Sequence, residues 1–344
     1  MTGLTEPRRP IRALALSTVA LLLTACGLAI SVGAESIDLA RIFDVLLSGP
    51  AGDTDSTVEH TIVWRIRLPR IALMAVVGAA LAPAGAAYQG LFRNPLADPY
   101  VVGVASGAGL GAVIVLTVGG VGEGLGTFAV PIGAFFGGLT AVFIALGVSR
   151  LGRSSHSSTL LLSGIVVGSF ANSVMTLWML RSPDGPRRAL LWLFGGYAGG
   201  GWTSVAVATP YVVVGLIGLL LSARSLNALQ LSDEEAIGLG VRVKRARLGI
   251  LASATLMTGA AVAFGGVLGF VGLIVPHALR LLGGPDYRRL IPLSAIAGAG
   301  FLVLCDLVAR TLFAPEEFPV GVLTALTGAP FFLFVLIRQR RAMY

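Results

Sequence analysis

Residues Ile71–Phe92 read IALMAVVGAALAPAGAAYQGLF, a run of 22 residues without a charged side chain. A helix of about 20 apolar residues is long enough to cross the ~30 Å hydrocarbon core of a bilayer. Glycine, alanine and an isolated proline are tolerated in such a helix because neighbouring helices pack closely against it. The run therefore predicts a transmembrane helix.

Similar apolar runs recur along the whole chain. Hydrophobic residues make up 55% of the 344 positions and charged residues 12%, whereas a soluble domain carries about a quarter charged residues. These observations predict an all-α, polytopic membrane protein that forms one domain over residues 1–344. Ten spans are predicted: Ala13–Val32, Ile71–Phe92, Val101–Gly120, Thr127–Val148, Leu160–Leu180, Ser204–Ser222, Leu248–Val267, Phe270–Leu282, Ile291–Val308 and Val320–Ile337.

The seventh and eighth spans come from one apolar stretch, residues 248–282, that is too long for one helix and short for two. Gly265, Gly266 and Gly269 offer a tight reversal inside it. Small residues four apart, such as Gly107 and Gly111 or Gly133 and Gly137, predict helices whose backbones approach closely.

The first span permits two interpretations. Leu23-Thr24-Ala25-Cys26 has the form of a lipoprotein cleavage box after a basic start, which would leave a lipidated cysteine. The apolar run continues past Cys26 to Val32, however, and is long enough to cross the bilayer. We expect an uncleaved first helix; a mature N-terminus at Cys26 is the alternative.

Basic residues predict the orientation. With the N-terminus inside, 17 of the 25 lysines and arginines lie in cytoplasmic segments, as the positive-inside rule requires. Both termini are then cytoplasmic, in a multi-pass protein of the inner cell membrane. Arg67, Arg70 and Arg310 are exceptions at outer ends, and Asp306 lies one helical turn before Arg310, where an ion pair is expected.

Several classes of function are excluded or disfavoured. The single lysine, Lys244, follows Val243, so no Gly-Lys-Ser/Thr phosphate loop exists. Ion-coupled carriers need ionisable groups deep in the membrane, and these are nearly absent. We expect no catalytic residues, no metal site, no cofactor and no nucleic-acid partner, because the three histidines are scattered and the basic residues lie between apolar spans. The chain is not expected to be an enzyme.

Residues 232–240, Ser-Asp-Glu-Glu-Ala-Ile-Gly-Leu-Gly, form the main polar segment between spans. A serine cap, an acidic first turn and a glycine stop predict a short helix. The segment is either a solvated loop or a docking element for a cytoplasmic partner.

Ordered motifs resemble one family of permeases. They are Arg67-Leu-Pro-Arg70, Gln89-Gly-Leu-Phe-Arg-Asn94-Pro95-Leu-Ala-Asp98-Pro99, Gly103-Val-Ala-Ser-Gly107, Gly269-Phe-Val-Gly-Leu-Ile-Val-Pro276-His277, Asp306-Leu-Val-Ala-Arg310 and Gly328-Ala-Pro330-Phe-Phe. Over residues 65–338 the chain is similar to the membrane subunits that import iron-siderophores, haem and cobalamin with ATP-binding-cassette partners. The resemblance implies type II importer architecture, with ten helices per subunit and two subunits around a central pathway.

The resemblance also implies roles for particular residues. The segment 231–243 matches coupling helices that sit in a cleft of the ATPase, with Ser232-Asp233 in place of the usual Gly-Glu; its expected contacts are Ser232, Asp233, Glu234, Glu235, Ala236, Gly238, Leu239 and Gly240. Arg67, Arg70 and Arg310 match outward-facing arginines that pair with carboxylates of an extracytoplasmic binding protein. The cytoplasmic gate is expected at Asn94, Leu96, Ser157, Ser158 and Thr159.

The expected partners follow from the same family. They are a second permease subunit, identical or not, two ATPase subunits that carry ATP and magnesium, a substrate-binding protein and membrane lipid. The expected substrate is a ferric siderophore, with cobalamin or haem as the alternative and a secondary carrier as a weaker one.

Overall fold

The computed structural model describes residues 11–33, 35, 37–50, 57–117, 128–151, 157–181, 190–195, 201–314 and 316–341. No strand occurs within these ranges, which confirms the all-α prediction. The principal helices, in chain order, are α1 (Ile11–Ser31), α2 (Leu39–Ser48), α3 (Val58–Thr61), a π-helical segment (Ile62–Arg67), α4 (Leu68–Phe92), a 3-10 helix (Pro99–Val102), α5 (Val104–Thr117), α6 (Ala129–Leu151), α7 (Ser157–Leu180), α8 (Gly201–Ala228), α9 (Asp233–Gly238), α10 (Val243–Gly265), α11 (Val271–Gly283), α12 (Tyr287–Thr311) and α13 (Val320–Arg341).

A helix lies at each of the ten predicted spans. Seven helices in the described ranges are long and apolar enough to cross a membrane, and three shorter apolar helices, α5, α11 and the apolar part of α13, occupy the remaining positions. The predicted reversal between the seventh and eighth spans is also found. Gly266 ends α10 with φ 74°, and Phe270 precedes α11 with φ 68°.

The second span is longer than predicted. Its helical path is continuous from Val58 to Phe92, 35 residues, which corresponds to about 52 Å. The hydroxyl of Thr57 accepts a hydrogen bond from the backbone N–H of His60 at 3.3 Å and begins it. Hydropathy placed the start at Ile71 because Arg65, Arg67 and Arg70 interrupt the apolar pattern. Helix α2 was not predicted at all, since it is short and amphipathic.

Helix α4 forms the centre of the helix bundle, and 19 of its 25 residues are buried. It packs against α12, α10, α8 and α11. A Cβ built at Gly78 would overlap the carbonyl oxygen of Gly298, so α4 and α12 touch backbone to backbone. Gly107 and Gly111 of α5 meet Gly137 and Gly133 of α6 in the same way, which confirms the predicted close packing.

The bundle has two chemically different ends. We call one the α9 end: it carries α9, the last turn of α4, the last turn of α8 and the first turn of α12, and Asn227 of α8 is hydrogen-bonded to Asp286 and Tyr287 at the start of α12. We call the other the arginine end: it carries Arg67, Arg70 and Arg310, at the start of α4 and the end of α12.

Candidate functional site

Helix α9 is fixed by its own first residues. The hydroxyl of Ser232 accepts a hydrogen bond from the backbone N–H of Glu235 at 3.1 Å, and the Glu235 carboxylate accepts one from the Ser232 backbone N–H at 2.8 Å. This reciprocal capping box satisfies two helix-end donors. The hydrogen bonds from Ser232 lower the pKa of Glu235 below its ordinary value, so the carboxylate is charged near neutral pH. The predicted short helix is therefore present.

The tip of α9 presents apolar side chains to the outside. Ala236 is fully buried beneath it, whereas Ile237 and Leu239 are 61% and 66% exposed. Gly240, with φ 82°, adopts the left-handed conformation that turns the chain back toward α10. Ala236 is thus a packing residue, and Ile237, which the sequence analysis did not select, is part of the exposed surface. Its apolar character within a polar segment was the available signal.

A pair of arginines holds α9 on the bundle. The Asp233 carboxylate lies 2.7 Å from a guanidinium nitrogen of Arg93 and 2.8 Å from one of Arg247. Arg93 also donates to the carbonyl of Leu229 at 2.6 Å. Arg93 was not selected from the sequence because its partner lies 140 positions away. It connects α9 to the end of α4.

The predicted gate loop begins immediately after Arg93. The Asn94 side-chain oxygen accepts the backbone N–H of Leu96 at 2.9 Å, and Asp98 caps the 3-10 helix through the N–H of Tyr100 at 2.9 Å. That helix then packs against α7 beside Gly164. Helix α7 begins at Ser157; the side chains of Ser157 and Ser158 lie outside the described residues. The closing role of these residues and Thr159 stays a prediction.

The three arginines of the arginine end make internal contacts. Arg67 and Arg310 are only 3% and 5% exposed in the protomer. Arg67 donates to the carbonyl of Ile30 at 2.8 Å and also to that of Glu35, and Arg310 donates to that of Ala29. The carbonyls of Ala29 and Ile30 lie in the last turn of α1, and that of Glu35 lies just beyond it, so the end of α1 is held to the start of α4 and the end of α12.

Arg70 contacts two carboxylates of different exposure. It lies 2.9 Å from Asp306, whose side chain is 2% exposed, and 2.8 Å from Glu317, whose side chain is 54% exposed. The predicted Asp306–Arg310 pair exists at 3.8 Å, but the closer partner of Asp306 is Arg70. The docking role of Arg67, Arg70 and Arg310 stays a prediction, and Arg70 is the member with an exposed partner.

One face of α7 is polar and exposed in the protomer. Ser169, Asn172, Ser173 and Thr176 recur at i, i+3, i+4 and i+7, which places them on one side of the helix. Only 22% of the α7 span is buried. A polar stripe inside a membrane span faces protein or water rather than lipid. This face is therefore suited to a second subunit or an aqueous pathway.

The described residues contain no group of three or more His, Cys, Asp or Glu side chains that could hold a metal ion. His277 is buried, and within the described part of the chain neither of its ring nitrogens has a hydrogen-bond partner. Its ring instead packs against Phe331 and Phe332, with ring centroids 6.2 Å away in both cases.

Comparison with known proteins gives consistent matches. A model of the FecCD transport family matches residues 21–338. The cobalamin import permease BtuC of Halobacterium salinarum is 47% identical over 285 residues, covering 83% of this chain and 76% of the relative. The hemin transport permease HmuU of Yersinia pestis is 40% identical over 344 residues, covering 99% and 98%. A solved structure described as an inward-facing metal-chelate type ABC transporter has a TM-score of 0.83 at 26% identity, covering 95% and 99%.

Proposed function

Because the chain belongs to the FecCD transport family, we propose that it forms the membrane pathway through which an ATP-driven importer carries a ferric siderophore. The chain is an importer permease of this family. We further propose that both termini and the α9 end lie on the cytoplasmic side of the inner membrane, and that the chain works with a second permease subunit, two ATPase subunits and a binding protein.

Helix α9 is the observation that carries the proposal. It is a short, capped helix outside the apolar bundle, tied to α4 through Arg93 and presenting Ile237 and Leu239 outward. Exposed apolar side chains on a small rigid element are typical of a protein contact rather than a solvated loop. A separate ATPase docked there supplies the energy that the sequence, without a phosphate loop, does not.

The polar stripe on α7 supports a dimer. A second permease subunit facing this stripe encloses a pathway between the two chains, lined by hydroxyl and amide groups rather than charges. Such a lining passes a large chelate without holding it tightly. Neither a metal site nor a cofactor of this chain is required for that role.

The substrate is inferred by analogy with relatives. An iron chelate is supported by the hemin permease and by the metal-chelate type structure. Cobalamin is the second candidate because of the 47% identical relative. Uptake into liposomes, with the chain reconstituted together with its ATPase and binding protein, distinguishes them. We expect ATP-dependent accumulation of a ferric siderophore and none of haem or cobalamin. Preferential uptake of haem or of cobalamin would identify that compound as the substrate instead.

We propose that the binding protein docks at the arginine end. Arg67 and Arg310 stabilise this end through their contacts with α1, and Arg70 contacts a carboxylate of the binding protein. Replacing Arg70 by glutamine is expected to weaken docking about 30-fold, since truncating one member of a desolvated ion pair has an effect of that order. In this variant the buried Asp306 still has Arg310, at 3.8 Å, as an ion-pair partner. Docking is measured by surface plasmon resonance on the detergent-solubilised transporter.

Arg41 provides the matched control for that experiment. It lies exposed on α2, which packs against the π-helical segment that ends at Arg67. Arg41→Gln removes one positive charge from that end without touching the Arg70 network, and we expect docking within twofold of the wild type. Equal docking of Arg70→Gln and wild type would place the binding protein elsewhere.

Arg93 is proposed to transmit movement of α9 to the gate loop. Arg93→Met removes the exposed ion pair with Asp233 and the hydrogen bond to the Leu229 carbonyl, while Arg247 still contacts Asp233, so we expect the fold to stay intact. We expect ATP hydrolysis to continue while the substrate imported per ATP falls severalfold, measured in proteoliposomes. Arg289→Met is the control, because Arg289 forms an exposed ion pair with Asp286 that does not involve α9. An unchanged transport ratio in Arg93→Met would argue against this connection.

A further inference from the structure

An apolar groove opens on the bundle, and none of the residues that line it carries a function assigned above. Helices α6 and α8 both pack on α10, and the groove lies between them with α10 as its floor. Its half nearer the α9 end has a volume of about 670 Å³. Leu146 and Gly147 of α6, Val214 of α8, and Leu248, Leu251 and Ala252 of α10 line it.

The dimensions of this half-groove match one leaflet of a bilayer. Its floor runs from Leu248 to Leu256, which corresponds to about 12 Å along α10. Half of a ~30 Å hydrocarbon core is ~15 Å. An extended apolar ligand lying parallel to the helices therefore fits the groove, and a hydrated polar substrate does not.

The open end of the groove is basic. Lys244 and Arg245 lie one helical turn before Leu248, on the same side of α10, and both are exposed. Arg247, in the same turn, contacts Asp233 of α9 instead. Lys244 and Arg245 thus lie where the headgroup of a lipid would be if its acyl chain occupied the groove. Two positive charges at that position favour a negatively charged headgroup.

We propose that this groove binds one anionic phospholipid, with an acyl chain between α6 and α8 and its phosphate against Lys244 and Arg245. The inference requires only that the bundle lies in a membrane, and is independent of the transported substrate. Because Arg247 connects the same turn of α10 to α9, the bound headgroup lies next to the coupling helix.

A glycine in the groove wall provides the test. A Cβ at Gly147 meets no atom within 4 Å and Gly147 lines the groove, so a side chain can be added there and we expect the ring of Gly147→Phe to occupy the groove. Native mass spectrometry of the full-length chain, titrated with phosphatidylglycerol or phosphatidylcholine, counts bound lipid. Burial contributes about fourfold in affinity per methylene, so displacing two methylenes predicts a loss of about 15-fold.

Two further variants separate the acyl chain from the headgroup. Gly249→Phe is the matched control, because Gly249 is also open on α10 but does not line the groove, and it should bind lipid like the wild type. Lys244→Gln with Arg245→Gln should lower phosphatidylglycerol affinity about 25-fold, or about fivefold per charge, and leave phosphatidylcholine unchanged. Undiminished binding to Gly147→Phe overturns the site, and equal wild-type affinity for both lipids overturns the headgroup assignment.

Discussion

Replacing Ile237 and Leu239 by aspartate is expected to release the ATPase subunits from the membrane chain. Both side chains stand exposed at the tip of α9, and the capping box and Asp233 hold the helix without them. In protein interfaces a buried apolar anchor contributes about 2 kcal/mol, so we expect binding to weaken at least about 30-fold. Transport then falls to background.

The measurement is affinity of the purified ATPase for the double variant in nanodiscs, together with ATP-driven uptake. Ile237→Leu with Leu239→Met is the control, since these volume-conserving changes keep the surface apolar and should keep both activities. If the aspartate variant still binds the ATPase within threefold of wild type, α9 is not its docking site. Release of the ATPase without loss of membrane insertion would identify α9 as the contact.

Much of the fold could be predicted from the sequence because a membrane helix is a local property. A run of about 20 apolar residues predicts a membrane-spanning helix without knowledge of the helices that pack against it. The spacing of Gly133 and Gly137 alone likewise predicts close packing. The start of the continuous helix at Val58 was missed because the prediction used local hydropathy alone. Its first turns carry arginines, and hydropathy does not register a helix that extends beyond the apolar core.

The candidate site was predicted only where its signal was local. Ser232 and Glu235 are three residues apart, and the capping box follows from that spacing. The partners of Arg93 and Arg70 lie 140 and 236 positions away, and no spacing rule reaches so far. The pairing of Asp306 with Arg310 was predicted because the two lie one turn apart, yet the tertiary structure brings Arg70 closer. Distance along the chain, not residue type, limited the prediction.

The second large expected effect is a loss of stability when the buried ion pair between Arg70 and Asp306 is removed. Asp306→Ala leaves Arg310 buried without a carboxylate in the described network and leaves Arg70 with only the exposed Glu317. Removing one partner of a buried ion pair destabilises a protein by about 3 kcal/mol or more. For a chain of 344 residues this corresponds to a fall of about 4 °C or more in the thermal midpoint of the detergent-solubilised chain.

Glu317→Gln is the matched control because it removes the other carboxylate from the same guanidinium. Glu317 is exposed, and an exposed ion pair contributes at most about 1 kcal/mol, so the midpoint should change by less than about 1.5 °C. The two variants therefore separate burial from charge as the source of stability. Equal midpoints for Asp306→Ala and Glu317→Gln would mean that the arginine end is held by the backbone contacts of Arg67 and Arg310 with α1 rather than by the buried carboxylate.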